Sequence, residues 1–358
     1  MRRLSGVSAL AGLIALGLVV SACGSKPSST GSGGSSGSNF SACMVTDTGG
    51  INDKSFNASA WAGMQKAKAD GKSATPRFLQ STSENDYGPN IAQLVAGNCN
   101  LIVTVGGLMQ QATDDAAKAN PKQHFAEVDA PGNGTNVLGL QYNTAQAGFL
   151  AGYLAAGYST SGKVATYGGL DIPPVTIYMD GFWEGVQYYN KQKSKTVQVL
   201  GWSEATQNGS FAGSFTDQTK GETLATNFMQ QGADVVFPVA GGTGLGAAAA
   251  AQSSAGKAVV IWVDSDGFVS DPQYQGVFLS TAYKNVADAV TTAVEGASGG
   301  TYSTKDYVGT LANTGVGLSP FHDFDSKVPA GLKSELTQIQ QQIIAGTIKI
   351  TSPSQPKG

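Results

Sequence analysis

Acidic and glycine residues recur just past the apolar runs of this 358-residue chain. Asp47 follows CMVT, Asp129 follows HFAEV, Gly241 follows VVFPVA, and Asp264 follows VVIWV. Asn52 and Asp53 stand in the loop after the first run, and Lys284 follows VFLSTAY. An ionised carboxylate accepts O–H and N–H donors in well-defined directions, so several of them in one place suit a ligand rich in hydroxyls. Phe56, Phe182, Trp183 and Phe237 add flat apolar surface. Stacking rings with carboxylates fit a sugar joined to a planar base, or a sugar alone. Each residue also has a plainer use. Asp53 or Asn52 can cap the helix that follows, and Phe56 or Phe237 can be core.

Other chemistries find little support. The segment Gly244-Leu245-Gly246-Ala247-Ala248-Ala249 matches the dinucleotide fingerprint, with Asp264 twenty residues on. It lies deep in the chain, and no acid–base set accompanies it. The two histidines, His124 and His322, stand far apart in sequence. A nicotinamide-dependent dehydrogenase is therefore the enzyme alternative, not the leading reading. Two histidines and three cysteines offer few zinc ligands. Neither a phosphate-binding G-x-x-x-x-G-K-[ST] loop nor a G-x-S-x-G elbow occurs. Accordingly no cofactor, no metal and no catalytic residue is expected. Net charge is −3 with no basic stripe, which argues against nucleic acid as a partner.

The elements that must position these residues alternate. Short apolar runs end in Gly, Asp or Asn, and helical periodicity follows. About five such units run from CMVT to the Ala/Gly-rich helix AQAGFLAGYLAAGYS. About five more begin at Gly162. This predicts an α/β protein of two doubly wound parallel-sheet lobes, joined by a hinge and facing each other across a ligand cleft. Right-handed crossovers gather the strands' C-terminal ends on one edge, where ligands bind in such sheets. The expected boundaries are 40–160 with part of 280–305 for the first lobe, and 161–279 with part of 306–358 for the second.

Ahead of these lobes stands an export pattern. Arg2 and Arg3 precede the apolar run 7–20, which is of signal-peptide length. Val20-Ser21-Ala22-Cys23 resembles the lipobox of bacterial lipoproteins, with residues 1–22 removed and Cys23 lipidated. Residues 23–39 are mostly Gly and Ser and read as a flexible tether. A lipid-anchored domain on the extracytoplasmic face of a cell membrane is the expected location. Cys43 and Cys99 each precede a strand-like run; in neighbouring strands they could form a disulfide, the alternative being two buried thiols.

The segment Val45-Thr46-Asp47-Thr48-Gly49-Gly50-Ile51-Asn52-Asp53-Lys54-Ser55-Phe56-Asn57 resembles the opening of the basic membrane protein family. These are lipoproteins that include purine nucleoside receptors of ABC importers. Gly213-Ser214-Phe215-Thr216-Asp217, Phe237-Pro238-Val239-Ala240-Gly241-Gly242, Val263-Asp264-Ser265-Asp266 and Lys284-Asn285-Val286 continue the likeness. It implies the type I periplasmic-binding-protein fold and a nucleoside held between aromatic rings. It also implies an ABC permease as partner and a monomeric receptor. By motif, Phe56 is one ring and Phe237 the second, with Phe182 behind it. Asp47, Asn52 and Asp53 are polar contacts, Asp129 a ribose carboxylate, and Asp264, Lys284 and the Gly241 backbone the second lobe's share. The helix starting Thr144-Ala145-Gln146 departs from relatives, which often place an acidic residue near Gln146. A sugar receptor, or a sensor or adhesin that never delivers its ligand, are the other readings.

Overall fold

The Val, Ile and Leu runs form parallel strands buried on both faces, as continuous apolar segments in α/β sheets do. The computed structural model describes residues 39–357. The expected signal segment 1–22, Cys23 and the tether up to residue 38 lie outside the described residues.

One sheet is built from β1 (Ala42–Thr46), β2 (Arg77–Gln80), β3 (Leu101–Val105), β4 (His124–Val128) and β5 (Val137–Tyr142). Helices α1 (Phe56–Ala69), α2 (Tyr87–Ala96) and α3 (Gln110–Ala119) connect its first four strands. After α4 (Ala145–Tyr158), a second sheet starts with β6 (Lys163–Gly168), α5 (Pro173–Lys193) and β7 (Gln198–Leu200). A two-stranded ribbon, β8 (Trp202–Ser203) with β9 (Asn208–Gly209), precedes α6 (Gln218–Gln230). Then come β10 (Val235–Val239), α7 (Leu245–Ser253), β11 (Val259–Asp264), the short α8 (Gly267–Ser270) and β12 (Phe278–Lys284). The chain finishes with α9 (Val286–Ser298), β13 (Tyr307–Gly309), β14 (Val316–Leu318) and α10 (Ala330–Ile344).

The sheets repeat one strand order, β2-β1-β3-β4-β5-β13 and β7-β6-β10-β11-β12-β14. All neighbours are parallel except β14, which runs antiparallel to β12. The two doubly wound lobes expected from the sequence are therefore present. Cys43 and Cys99 are joined as a disulfide, with Cα atoms 5.9 Å apart. This follows from β1 lying beside β3, which pairs Cys43 with Ile102 in register.

Lobe membership differs from the expected boundaries at two places, α4 and β13. Helix α4 packs on α5, with Phe149 against Tyr188 and Tyr153 against Tyr189, so the first lobe ends near 143 and not at 160. α4 is apolar nearly all round and is buried along most of its length. Such a helix needs cover on several sides, and periodicity alone does not say which sheet gives it. From β12 the chain returns to the first lobe: α9 packs on α1, where Thr291 Oγ1 donates to the Gly63 carbonyl (3.1 Å). β13 then extends the first sheet beside β5, beyond the 280–305 stretch from which the first lobe's second share is expected. Three segments thus cross between lobes, around 143–144, at Asn285 and through 310–315. Pro173 and Pro174 occupy the first turn of α5. There the missing N–H groups cost nothing and the fixed φ suits the helix.

Candidate functional site

Both sheets turn their strands' C-terminal ends toward one cavity. Its wall includes Asp47, Asp53, Phe56 and Asp129 from the first lobe, and Gly241, Asp264 and Lys284 from the second. Seven residues expected at the site from sequence are therefore brought together.

Asp47 follows β1 and is buried. Its Oδ1 accepts from the Gly49 N–H (2.8 Å) and from Asn57 Nδ2 (2.8 Å). Gly106, after β3, lies so close that a Cβ there would stand 2.8 Å from Asp47 Oδ2; its φ of +122° also favours glycine. Burial pushes the Asp47 carboxyl up to about 7, against the lowering effect of the Asn57 and Gly49 donors; Asp53 and Asp129 raise it further. Asp53 holds the start of α1: its carboxylate accepts from the N–H groups of Ser55 (3.0 Å), Asn57 (2.7 Å) and Ala58 (3.0 Å). The capping use and the cavity position thus coincide. Burial raises the Asp53 carboxyl, and those backbone donors partly offset it.

Asp129 lies just past β4 and Asp264 ends β11, the strands fourth in order in their sheets. Both adopt left-handed backbone, with φ of 69° and 66°. Such φ values in non-glycine residues are uncommon and gather at functional sites. Between them lies Lys284, whose Nζ is 2.6 Å from Asp129 Oδ2 and 3.4 Å from Asp264 Oδ1. The same ammonium sits over the Phe56 ring, 4.3 Å from its centroid. Burial alone would lower the Lys284 ammonium, but the Asp129 and Asp264 charges outweigh it and the group is raised. Burial raises Asp129, opposed by Lys284. Tyr178 donates to Asp264 Oδ1 (3.4 Å) and lines the same wall.

The lobes also meet directly. Ser55 Oγ, at the head of α1, donates to Asp264 Oδ2 (2.7 Å), and Ser265 Oγ donates to the Ser55 carbonyl (2.9 Å). Lys284 lies across the Phe56 face, so the cavity is closed down around its ammonium.

Two expected site residues lie elsewhere. Asn52 is exposed in the loop before α1 and does not reach the cavity. Phe237 is fully buried in the middle of β10, stacked on Phe182 with ring centroids 5.0 Å apart, so neither ring of this pair is a wall. A central strand is covered on both faces, and only residues past its end can face the cleft. Beside Tyr178 on α5, the second lobe brings Phe215 to the cavity, in the loop before α6. Its carbonyl accepts the Thr243 N–H (3.0 Å), which ties that loop to the glycine segment after β10. Its position past a strand, in a segment already matched to the family, was the available signal. Asn57, Tyr178 and the Gly106–Leu108 turn were likewise missed.

The dinucleotide-like glycines have a packing use. A Cβ on Gly246 would collide with the Gln218 carbonyl and stand 2.4 Å from the Glu222 nitrogen, so α7 approaches α6 through this residue. Neither Gly244 nor Gly246 lines the cavity. Among the described residues no group of three or more His, Cys, Asp or Glu side chains is arranged to hold a metal ion.

Two parallel-sheet lobes with a cleft between their carboxyl edges define a solute-binding protein of the type I periplasmic class. The family described as Bmp, ABC transporter substrate-binding protein PnrA-like, matches residues 40–354, and the chain belongs to it. It is 32% identical to the CD4+ T-cell-stimulating antigen of Listeria innocua, over 99% of this chain and 100% of that one. It is also 32% identical to the ABC transporter nucleoside-binding protein BmpA of Lactococcus lactis, covering 78% of this chain and 77% of the relative. A solved ABC transporter solute-binding protein from Aeropyrum pernix superposes with a TM-score of 0.79 at 26% identity, covering 88% and 94% of the two chains.

Proposed function

We propose that this chain captures a nucleoside, in the first instance a purine nucleoside, in the interlobe cleft, and that a membrane permease imports it. The observation that carries this reading is the composition of one cavity: Phe56 and Phe215 from opposite lobes, with Asp47, Asp129 and Asp264 between. A base has two apolar faces for the rings, and ribose has hydroxyls for carboxylates. The name of the Lactococcus relative points the same way. In this reading Asp129 takes the ribose, and Lys284 leaves the Phe56 face as the base arrives. Hinge bending about the three crossing segments opens and closes the cleft. The absence of an arginine cluster among the lining residues favours nucleosides over nucleotides. We further propose that Cys23 carries the lipid anchor and that the mature receptor stands, as a monomer, on the extracytoplasmic face.

A thermal-shift screen tests the reading, using residues 40–358 with nucleosides, free bases, pentoses, hexoses, nucleotides and NAD. Stabilisation by inosine, guanosine or adenosine, with little from ribose or base alone, is the expected result. A shift with sugars only would move the ligand class; a shift with NAD only would overturn the reading.

A further inference from the structure

A second chamber adjoins the ligand cavity. The two share Gly107, Leu108, Asp129, Ile172 and Pro174 as a common wall. The chamber is larger than the cavity, about 1290 Å³ against about 550 Å³ counting solvent at each mouth. Its outer wall is the C-terminal tail, through Pro353, Ser354, Gln355 and Pro356. That tail is built in. The Thr351 N–H (3.0 Å) and hydroxyl (2.6 Å) both donate to Glu184 Oε1, and Ser354 Oγ lies 2.8 Å from Thr176 Oγ1. Ser352 Oγ donates to Asp180 Oδ2 on the same helix. All three anchor residues lie on α5, so the strap is fastened to the second lobe. Its far end reaches the crossing at Asn143 through Gln355 (3.5 Å).

Resting on the nucleoside reading, we infer that this chamber is a subsite for an uncharged substituent on the ribose side of the ligand. The receptor then takes 5′-substituted nucleosides as well as plain ones. Asp129 is the pivot. It belongs to both cavities, and it is the carboxylate assigned to the ribose, so a group extending from that sugar passes into the chamber. The chamber's chemistry selects the substituent. Leu108, Ile172, Ile177 and a set of prolines give apolar surface, Gln110 and Gln355 offer neutral amides, and the one cationic side chain among the lining residues, Lys357, is exposed at the end of the strap. The Pro173 and Pro174 ring nitrogens carry no hydrogen to donate to an anion. At the junction the Asp129 carboxylate, its side chain 9% exposed, shares the single Lys284 ammonium with Asp264, so the three groups together turn a net negative charge toward an anion. A phosphate is therefore disfavoured, and an alkylthio or similar neutral group fits.

Calorimetry on the mature chain with adenosine, 5′-deoxy-5′-methylthioadenosine and its isobutylthio analogue tests this. N6-benzyladenosine and adenosine 5′-monophosphate serve as controls. Wild type should bind both thioethers within about ten-fold of adenosine, and the two controls much more weakly. Gln110→Trp, which narrows the chamber and touches no wall of the ligand cavity, should keep adenosine binding and weaken the isobutylthio analogue at least ten-fold. A chain ending at Ile350 should release that analogue faster while releasing adenosine at the wild-type rate. Binding of adenosine without the thioethers would overturn the subsite and leave the nucleoside reading intact. Equal weakening of all ligands by Gln110→Trp, or preference for the N6-substituted control, would overturn it as well. If no nucleoside binds at all, both readings fall together.

Discussion

Lys284 and Asp129 meet across the cleft, with Nζ and Oδ2 2.6 Å apart and both side chains at most 9% exposed. One stands at the end of β12 and the other just past β4, so this contact joins the two lobes at the floor of the ligand cavity. Removing one partner of a buried pair leaves an uncompensated charge, at a cost of about 3 kcal/mol. Lys284→Met should therefore lower the melting temperature of the unliganded protein by several degrees. Removing one of the two carboxylates left without their ammonium, by Asp129→Asn in the same chain, should recover part of the loss. Additive losses in thermal unfolding would show that the two groups are not coupled.

The aromatic assignment separates two rings that look alike in sequence. Stacking of a base on an aromatic side chain is worth about 1–3 kcal/mol. Phe215→Ala and Phe56→Ala should each weaken nucleoside binding by roughly ten- to a hundred-fold with modest effects on melting. Phe237→Leu should do the reverse, since that ring is buried against Phe182. Titration calorimetry beside unfolding scans distinguishes the patterns, and a ligand-affinity loss confined to Phe237→Leu would reverse the assignment.

That contrast also marks how far the sequence could be read. Strand runs such as LIVTV and VVFPV, each bounded by Gly or Asp, were enough to place two sheets. The strand-end rule then placed Asp47, Asp129, Gly241, Asp264 and Lys284 at one cavity. The motif assignment failed for Phe237 because a mid-strand ring belongs to the core, whereas Phe215 stands in an irregular loop whose path depends on the Thr243 bond. Long-range partnership was the other gap. The apolar surface of α4 says that it is buried, not that α5 covers it. The three-residue strands β13 and β14 are too short to leave a pattern. The tail beyond Ile350 is polar and aperiodic, and only its contacts with Asp180 and Glu184 reveal a wall.

Asp47 gives the site a pH dependence. Its carboxyl is raised from the ordinary 3.8 to about 7 by burial, so the folded state favours the protonated form more than the unfolded chain does. Stability linked to this group is present at low pH and is lost as pH rises toward 7. Wild type should therefore gain stability relative to Asp47→Asn as pH falls from 8 to 5. A constant difference in unfolding free energy across that window would rule the linkage out.

Cys43 and Cys99 close a loop with a sequence separation of 56. In the chain-entropy account such a crosslink stabilises by about 4 kcal/mol, and measured effects are commonly 2–4 kcal/mol. The bridged strands β1 and β3 carry Asp47 and Gly106 at their ends, so reduction should loosen the site as well as the lobe. The Cys43→Ser/Cys99→Ser double variant should show a lower denaturation midpoint in urea with a steeper slope, because the uncrosslinked unfolded chain exposes more surface. An unchanged midpoint would mean that the bridge contributes nothing to the folded balance.

Closure itself rests on few direct contacts. Ser55 links the head of α1 to Asp264 through its hydroxyl, and its carbonyl accepts from Ser265. Ser55→Ala removes the hydroxyl donor, and Ser265→Ala removes the return bond. Each neutral hydrogen bond contributes about 1 kcal/mol, and one to a charged acceptor about 1.5–3 kcal/mol. The Ser55→Ala/Ser265→Ala variant should shift the unliganded population toward open lobes, read as a larger radius of gyration in small-angle scattering. Added ligand should return the radius to the wild-type value, because contacts through the ligand replace the lost ones. Association should become faster and dissociation faster still, since opening no longer breaks these bonds. An unliganded radius equal to wild type would place the closing free energy elsewhere, with the Lys284–Asp129 pair as the remaining candidate.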